Sequence, residues 1–149
     1  MFGPIPSVLP TLLVGDKHLD FVNEFKYVGV TFKSTHRFIF ASHYINKVSK
    51  AHNMVFTIFA MESVVGTIPP CEGLQLYKSR TDPHLTFAAE VAVDVDDSFF
   101  ALLEDVQVLF LCRLLGLHTR SMPMRALLFT ETGIMPIRYC RVILALRYL

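Results

Sequence analysis

The hydrophobic pattern changes character near residue 36. Before it, apolar residues come in short runs broken by turn formers. "TLLVG", "HLDFV" and "FKYVGVTF" read as three short strands, the first two joined by a turn at Gly15-Asp16-Lys17. The ten residues ahead of them hold three prolines and predict extended chain. Beyond residue 36 the period becomes helical. Ala41, Tyr44, Ile45, Val48, Ala51, Val55 and Phe59 fall on one side of a helix over 36–66, and Phe38 and Phe56 widen the stripe. The opposite side carries His36, His43, Lys47, Lys50 and Thr57, so the outer face is basic. Ser34 or Thr35 is placed to cap this helix; Gly66 and Pro69-Pro70 end it. Further helices are expected from Pro70 to about Arg80, over Phe99–Leu115 with Gly116 as the stop, over Met124–Thr130, and from Ile137 to Leu149. Whether helix continues beyond a turn at Asp82-Pro83 is left open by the pattern. The sum is an α+β chain, mainly α: a small antiparallel sheet of about three strands followed by a helical bundle.

Composition narrows the class. Hydrophobic residues make up 52% of the 149 and charged ones 18%, which excludes a disordered chain. A mean hydropathy of +0.44 raises the membrane question. A spanning helix needs about 20 mostly apolar residues, and the runs here are shorter: Phe99 to Leu103 stops at Glu104. No membrane partner is expected. The start, "MFGPIPSVLP", lacks the basic and apolar regions of a signal peptide. So apolar a chain suggests a missing neighbour against which it packs. The three cysteines, Cys71, Cys112 and Cys140, are odd in number and far apart, which argues against a disulfide framework or zinc knuckle. Buried thiols in an intracellular, reducing setting are expected.

Charge is uneven. Residues 1–112 hold 8 basic and 12 acidic side chains, whereas residues 113–149 hold 6 arginines and one acid, Glu131. Such asymmetry fits a polyanionic partner, and equally fits arginines ringing the ends of apolar helices with their stems packed. "DVDD", Asp94 to Asp97, invites a magnesium site, but a helical pattern follows it and Phe99 stands where an EF-hand loop has glycine. Acid at a helix N-terminus is the better reading. The six histidines show no metal-ligand spacing, and His52 falls on the apolar face as a core histidine. No nucleophile motif or phosphate loop is present. The basic helix face is the stronger lead, because lysines on one side of a helix neutralise phosphates without reading sequence.

Several blocks, in order, resemble the region just after the polymerase palm of non-LTR (LINE-type) retrotransposon reverse transcriptases, fungal elements above all. "MFGPIP" resembles the end of the K-T-x-x-M-V-F-G element, and "FKYVGVTF" the "FKYLGV" block. "HYINKVSKAHNMVFTIF" resembles the helix that follows, and "DPHLTFAAEV" resembles "P-x-L-x-Y-G-x-E". "LEDVQVLFLCRLLGL" and "FTETGIMPIRYCRVILALRYL" resemble "LE-x-VQ-x-x-FLRRLLGL" and "E-x-G-x-x-PI-x-x-RR-x-x-LALRYL". Ala88 replaces the pattern's glycine, Cys112 and Cys140 replace arginines, and Val28 replaces leucine.

The resemblance implies a primer-grip hairpin within 1–35, a thumb-like helix over 36–66 and a helical linker over 67–149, together one fragmentary unit. Phe25, Lys26, Tyr27, Val28 and Gly29 would form the grip, and His43, Lys47 and Lys50 would face nucleic acid. Gly29 would let backbone come close to the primer end or to the palm beside it, the alternative being a bulge at a sheet edge. The implied partners are an RNA–DNA template–primer duplex, held weakly and without sequence preference, and the palm domain. The family's aspartate pair lies before the first block. Catalytic residues, metal ligands and a cofactor are therefore expected to be absent here, the magnesium belonging to the palm. The implied function is a fragment of an RNA-directed DNA polymerase that holds template–primer and is inactive alone, nuclear or cytoplasmic if it acts with a retroelement. The alternatives are a helical protein-interaction module and a non-functional retroelement relic.

Overall fold

In the computed structural model, which describes residues 11–34, 37–92, 96–117 and 122–148, "EFKYVGVTF" does not form one strand but folds back on itself. Strands β3 (Glu24–Tyr27) and β4 (Val30–Lys33) pair antiparallel, with Tyr27 opposite Val30. Val28 and Gly29 make the two-residue turn, and both have positive φ, 46° and 81°. A loop this short needs that backbone, because its twist then matches the strands it joins. The glycine therefore marks a chain reversal. A smaller hairpin of β1 (Leu13–Val14) and β2 (Lys17–His18) comes before it, so the described strands form two separate two-stranded sheets rather than one sheet of three. The chain is α+β and mainly α.

Val28 is strained at the hairpin tip. An L-residue in the left-handed region costs about 1–2 kcal/mol, and Val28 recovers little by burial, being 76% exposed. Val28→Asn supplies the Asn-Gly pair that such turns favour and should stabilise the protein by about 1 kcal/mol. A urea midpoint that stays put or falls would contradict this account of the turn.

Helix α1 (Ala41–Ala60) begins five residues later than the periodicity suggests. Ser34 does not cap it; its hydroxyl donates to the Asn23 carbonyl at 3.2 Å. Phe40 occupies the N-cap position without a side-chain cap bond, and Thr35 and His36 lie outside the described residues. A single turn, α2 (Glu62–Val65), follows and ends at Gly66. Then α3 (Pro70–Leu76), a π turn (Tyr77–Thr81) and α4 (Asp82–Thr86) run into one another, so Asp82-Pro83 continues the helix. Proline lacks an N–H and crowds the carbonyl four residues back. The π turn immediately ahead widens the backbone where Pro83 would clash.

Helix α5 (Asp97–Leu114) is the central element, with α1, α6 (Met122–Thr132) and α7 (Ile137–Tyr148) packed around it. Leu103, Val106, Val108, Phe110, Leu111 and Leu114 are buried on several sides of α5, as a helix apolar nearly all round requires. Phe110 meets Phe59 of α1 at 5.1 Å and Tyr77 of the π turn at 5.2 Å between ring centroids. Gly116 ends the helix as expected. At φ 65° it lets its own N–H reach Arg113 O and the Leu117 N–H reach Cys112 O, the paired bonds of a Schellman cap. At the other end Asp96 stands at the N-cap with no side-chain cap hydrogen bond, Asp97 opens the helix and Asp94 lies outside the described residues. The acidic start is present, but it acts through its charge alone.

The inward face of α1 is rotated from the expected stripe. Ile45 is 56% exposed, while Ile58 and His43 are buried. His52 is half-buried and stacks on the exposed Phe56 at 6.0 Å, so it is no core histidine. Cys71 is exposed, against the expectation of three buried thiols. The arginines of 113–149 are largely committed internally. Arg125 pairs with Asp105 at 2.7 Å, and Arg138 pairs with Glu104 at 3.3 Å and Asp97 at 3.6 Å. Arg113 lies over Phe59. Arg141, buried on α7, donates to Leu85 O at 2.7 Å and to the Tyr44 hydroxyl at 2.6 Å, and that hydroxyl donates to Ala92 O at 2.6 Å. This chain of bonds ties α7 to α4 and α1.

Candidate nucleic-acid interface

The β3–β4 hairpin stands against α1, with Val30 and Thr31 buried at their junction. Side chains alternate across a strand, and cross-strand partners share a face. Lys26 is paired with Thr31, and both line a cleft whose far wall is α1. Tyr27 is paired with Val30, and both face the other way. The hairpin thus separates a basic cleft from an apolar groove.

The basic cleft, of about 250 Å³, is lined by Lys26, Gly29, Thr31, His43, Asn46, Lys47 and Lys50. Helical spacing explains the α1 contribution: residues 43, 46, 47 and 50 are three and four apart and so lie on one face. No carboxylate lines the cleft, and none of the ion pairs among the described residues includes these lysines. Burial holds the Lys47 ammonium below its ordinary pKa, and the like charges of Lys50 and Lys26 lower it further. Lys47 Nζ sits 3.3 Å from the centroid of the Phe87 ring, a cation–π contact that partly offsets the repulsion. His84, just before Phe87, is also lowered by burial and by Lys47 and Lys50.

His43 does not lie on a solvated outer face. It is 1% exposed, its ring packed 5.8 Å from that of Phe87. Burial, then the charge of Lys47, lowers its pKa to about 4, against an opposing hydrogen bond to the Phe87 backbone. The ring is therefore neutral near pH 7. Its Nε2 is buried and has no hydrogen-bond partner. Phe87 also passes beneath the hairpin tip. A Cβ at Gly29 would come within 3.0 Å of Phe87 Cζ, so the close approach expected at this glycine is to an aromatic ring of the same chain.

Of the eight residues singled out in the sequence, Lys26, Gly29, His43, Lys47 and Lys50 meet at the basic cleft. Tyr27 and Val28 line the apolar groove, about 620 Å³, with Val30, Phe32, Phe87 and Val91. Phe25 lines neither and is 57% exposed. Sequence reasoning missed Thr31, Asn46 and Phe87. Thr31 becomes visible once Val28-Gly29 is read as a turn, because the register then places it opposite Lys26. Asn46 follows from the spacing to Lys47 and Lys50. Phe87 is forty residues away in the chain and carries no local signal.

Among the described residues no three His, Cys, Asp or Glu side chains converge as a metal site would require, and no helix is long and apolar enough to cross a membrane. Comparison with known protein families, with curated proteins and with solved structures returns no match.

Proposed function

We propose that the chain holds the sugar–phosphate backbone of a nucleic-acid duplex, in the manner of the primer grip and thumb of a non-LTR retrotransposon reverse transcriptase. The observation that carries this reading is the cleft between the hairpin and α1. It gathers Lys26, Lys47 and Lys50 from two elements around a polar hollow that no carboxylate lines. Uncompensated like charges cost stability, and lysines so placed neutralise phosphates whatever the base sequence. Two features of the backbone add support. The strained residue Val28 stands at an exposed tip beside the cleft, where strain commonly marks contact sites. Ala88, which stands where the resembled pattern carries glycine, has φ 58°, a conformation that glycine adopts without cost. The role is to hold and position.

Fluorescence anisotropy with a labelled RNA–DNA hybrid tests this. Three lysine contacts predict a slope of log K against log salt of about −2 to −3, so affinity should fall about 15- to 60-fold between roughly 50 and 200 mM salt. Scrambling the sequence should leave the curve in place. Failure to bind at the lowest salt would remove the reading. The apolar groove on the hairpin's other face, lined by Tyr27, Val28, Phe32 and Val91, supports a second reading as a protein-interaction module. That reading predicts no salt-dependent binding to the hybrid.

A further inference from the structure

Strand β3 has a neighbour on one side only. Among the described residues it pairs with β4 and with no other strand, and all four of its residues are exposed. The ladder fixes which backbone groups lie on the open edge. Tyr27 and Val30 close a two-residue loop as a hydrogen-bonded pair, and Phe25 and Phe32 are the next such pair. The Ser34 N–H donates to Asn23 O at 2.9 Å in the same alternation. Asn23, Phe25 and Tyr27 therefore direct their N–H and C=O groups at β4. Those of Glu24 and Lys26 point the other way, and no bond from them to another element is present among the described residues. Such an edge is a template for a further strand. Helix α1 packs on β4 and leaves it clear.

The residues along the edge are complementary to themselves. Outward groups must meet outward groups, which excludes the antiparallel register that would overlap two copies of β3 along their whole length. Two registers then overlap three residues. One is centred on Lys26 and sets ammonium against ammonium, an arrangement that destabilises a sheet. The other is centred on Phe25 and sets Glu24 of each copy opposite Lys26 of the other. We propose that the chain self-associates through this edge: two copies of β3 pair antiparallel about a two-fold axis at Phe25, making one four-stranded sheet in the order β4–β3–β3–β4. The two Glu24–Lys26 pairs exchange backbone hydrogen bonds and oppose unlike charges on one face. Neither side chain has an ion-pair partner among the described residues. On the other face the two Phe25 rings meet at a non-hydrogen-bonded position, where side chains approach most closely. This gives a place to Phe25, which is 57% exposed and lines neither the basic cleft nor the apolar groove. So short a strand makes the dimer a weak, concentration-dependent one.

Sedimentation equilibrium on the intact chain, from micromolar to millimolar concentration, should show monomer and dimer in exchange. Glu24→Lys and Lys26→Glu each turn two attractive pairs into two repulsive ones, and each should raise the dimer Kd about tenfold or more. Mixed together, the two variants are complementary again. They should form a heterodimer within about threefold of the original affinity. Hydrogen exchange on the unaltered chain reads the register without any variant. The Glu24 and Lys26 amides should slow as concentration rises, whereas those of Phe25 and Tyr27 are already bonded to β4 and should not change. Nucleic acid is absent from every sample, so the outcome is independent of the duplex-holding reading. A chain that stays monomeric to millimolar concentration overturns the proposal. So does a dimer that both charge reversals leave unchanged, or one that forms without slowing the Glu24 and Lys26 amides, since its interface then lies elsewhere.

Discussion

Gln107→Leu should cost roughly 3–5 kcal/mol, a large part of the 5–15 kcal/mol that holds a domain folded. Gln107 lies in the middle of α5 with no solvent exposure. Its Nε2 donates to the Tyr77 hydroxyl and to Met135 O, each at 3.0 Å, and its Oε1 accepts from the Ile137 N–H at 2.9 Å. Ile137 opens α7, where backbone N–H groups have no partner within the helix. A side chain thirty residues earlier therefore caps α7 from inside the core. The Tyr77 hydroxyl passes its own proton towards Asp82 at 3.2 Å, and burial strongly raises its pKa, so it stays protonated. Leucine has nearly the right volume but strands the buried Ile137 N–H at about 1–3 kcal/mol and takes one bond of about 1 kcal/mol each from the Tyr77 hydroxyl, which keeps Asp82, and from Met135 O, with incomplete additivity. Tyr77→Phe removes one member and should cost less, about 1 kcal/mol. Urea unfolding followed by circular dichroism measures both. A loss below about 1 kcal/mol in Gln107→Leu would mean that water replaces the side chain and that the network is not a closed one.

Gln107 also shows what the sequence could and could not reveal. Periodicity places it on a helix of great apolar density and gives no reason for a glutamine there. The resemblance carries a glutamine at the same place in "LE-x-VQ", yet says nothing of its partners. Those are Tyr77, Met135 and Ile137, which only tertiary packing brings together. Arg141 is similar: charge counting places it in a basic C-terminal region, whereas the fold buries it against Leu85 and Tyr44. Local chemistry was easier to read. Gly116 and Gly66 end helices where expected, and the long helix, α5 and α7 are where the periodicity puts them, within a few residues at most ends. The two hairpins were only half legible. A turn at Val28-Gly29 is hidden because valine is among the residues least suited to positive φ, so tertiary packing prevails over propensity there. His43 shares a face with Lys47 and Lys50, as the spacing places it, but it is buried there instead of solvated, because Phe87 from a distant part of the chain packs on its ring.

The double reversal Lys47→Glu with Lys50→Glu should abolish duplex binding, lowering affinity by more than about 100-fold at low salt. Each lysine is worth about 1.5 kcal/mol or more as a charged hydrogen bond to phosphate, and two new negative charges add repulsion. The salt slope should also flatten by about 2, because two counterion-releasing contacts are gone. Lys78→Glu on the π turn is the control, since Lys78 is exposed and lines neither the basic cleft nor the apolar groove. It should shift affinity by less than about threefold and leave the slope intact. Stability separates a functional cluster from an ordinary solvated face. Lys47 is held below its ordinary pKa by burial and by Lys50 and Lys26, so the fold carries these charges at a cost. Reversal exchanges that repulsion for attraction to Lys26 and gives up the contact with Phe87, worth about 0.5–1 kcal/mol. The melting temperature should therefore hold within about 3 °C or rise, while binding is lost. Binding that survives in a stably folded double variant would place the nucleic-acid contact outside the cleft. A fold that collapses would show instead that Lys47 and Lys50 are packing residues whose charge is incidental.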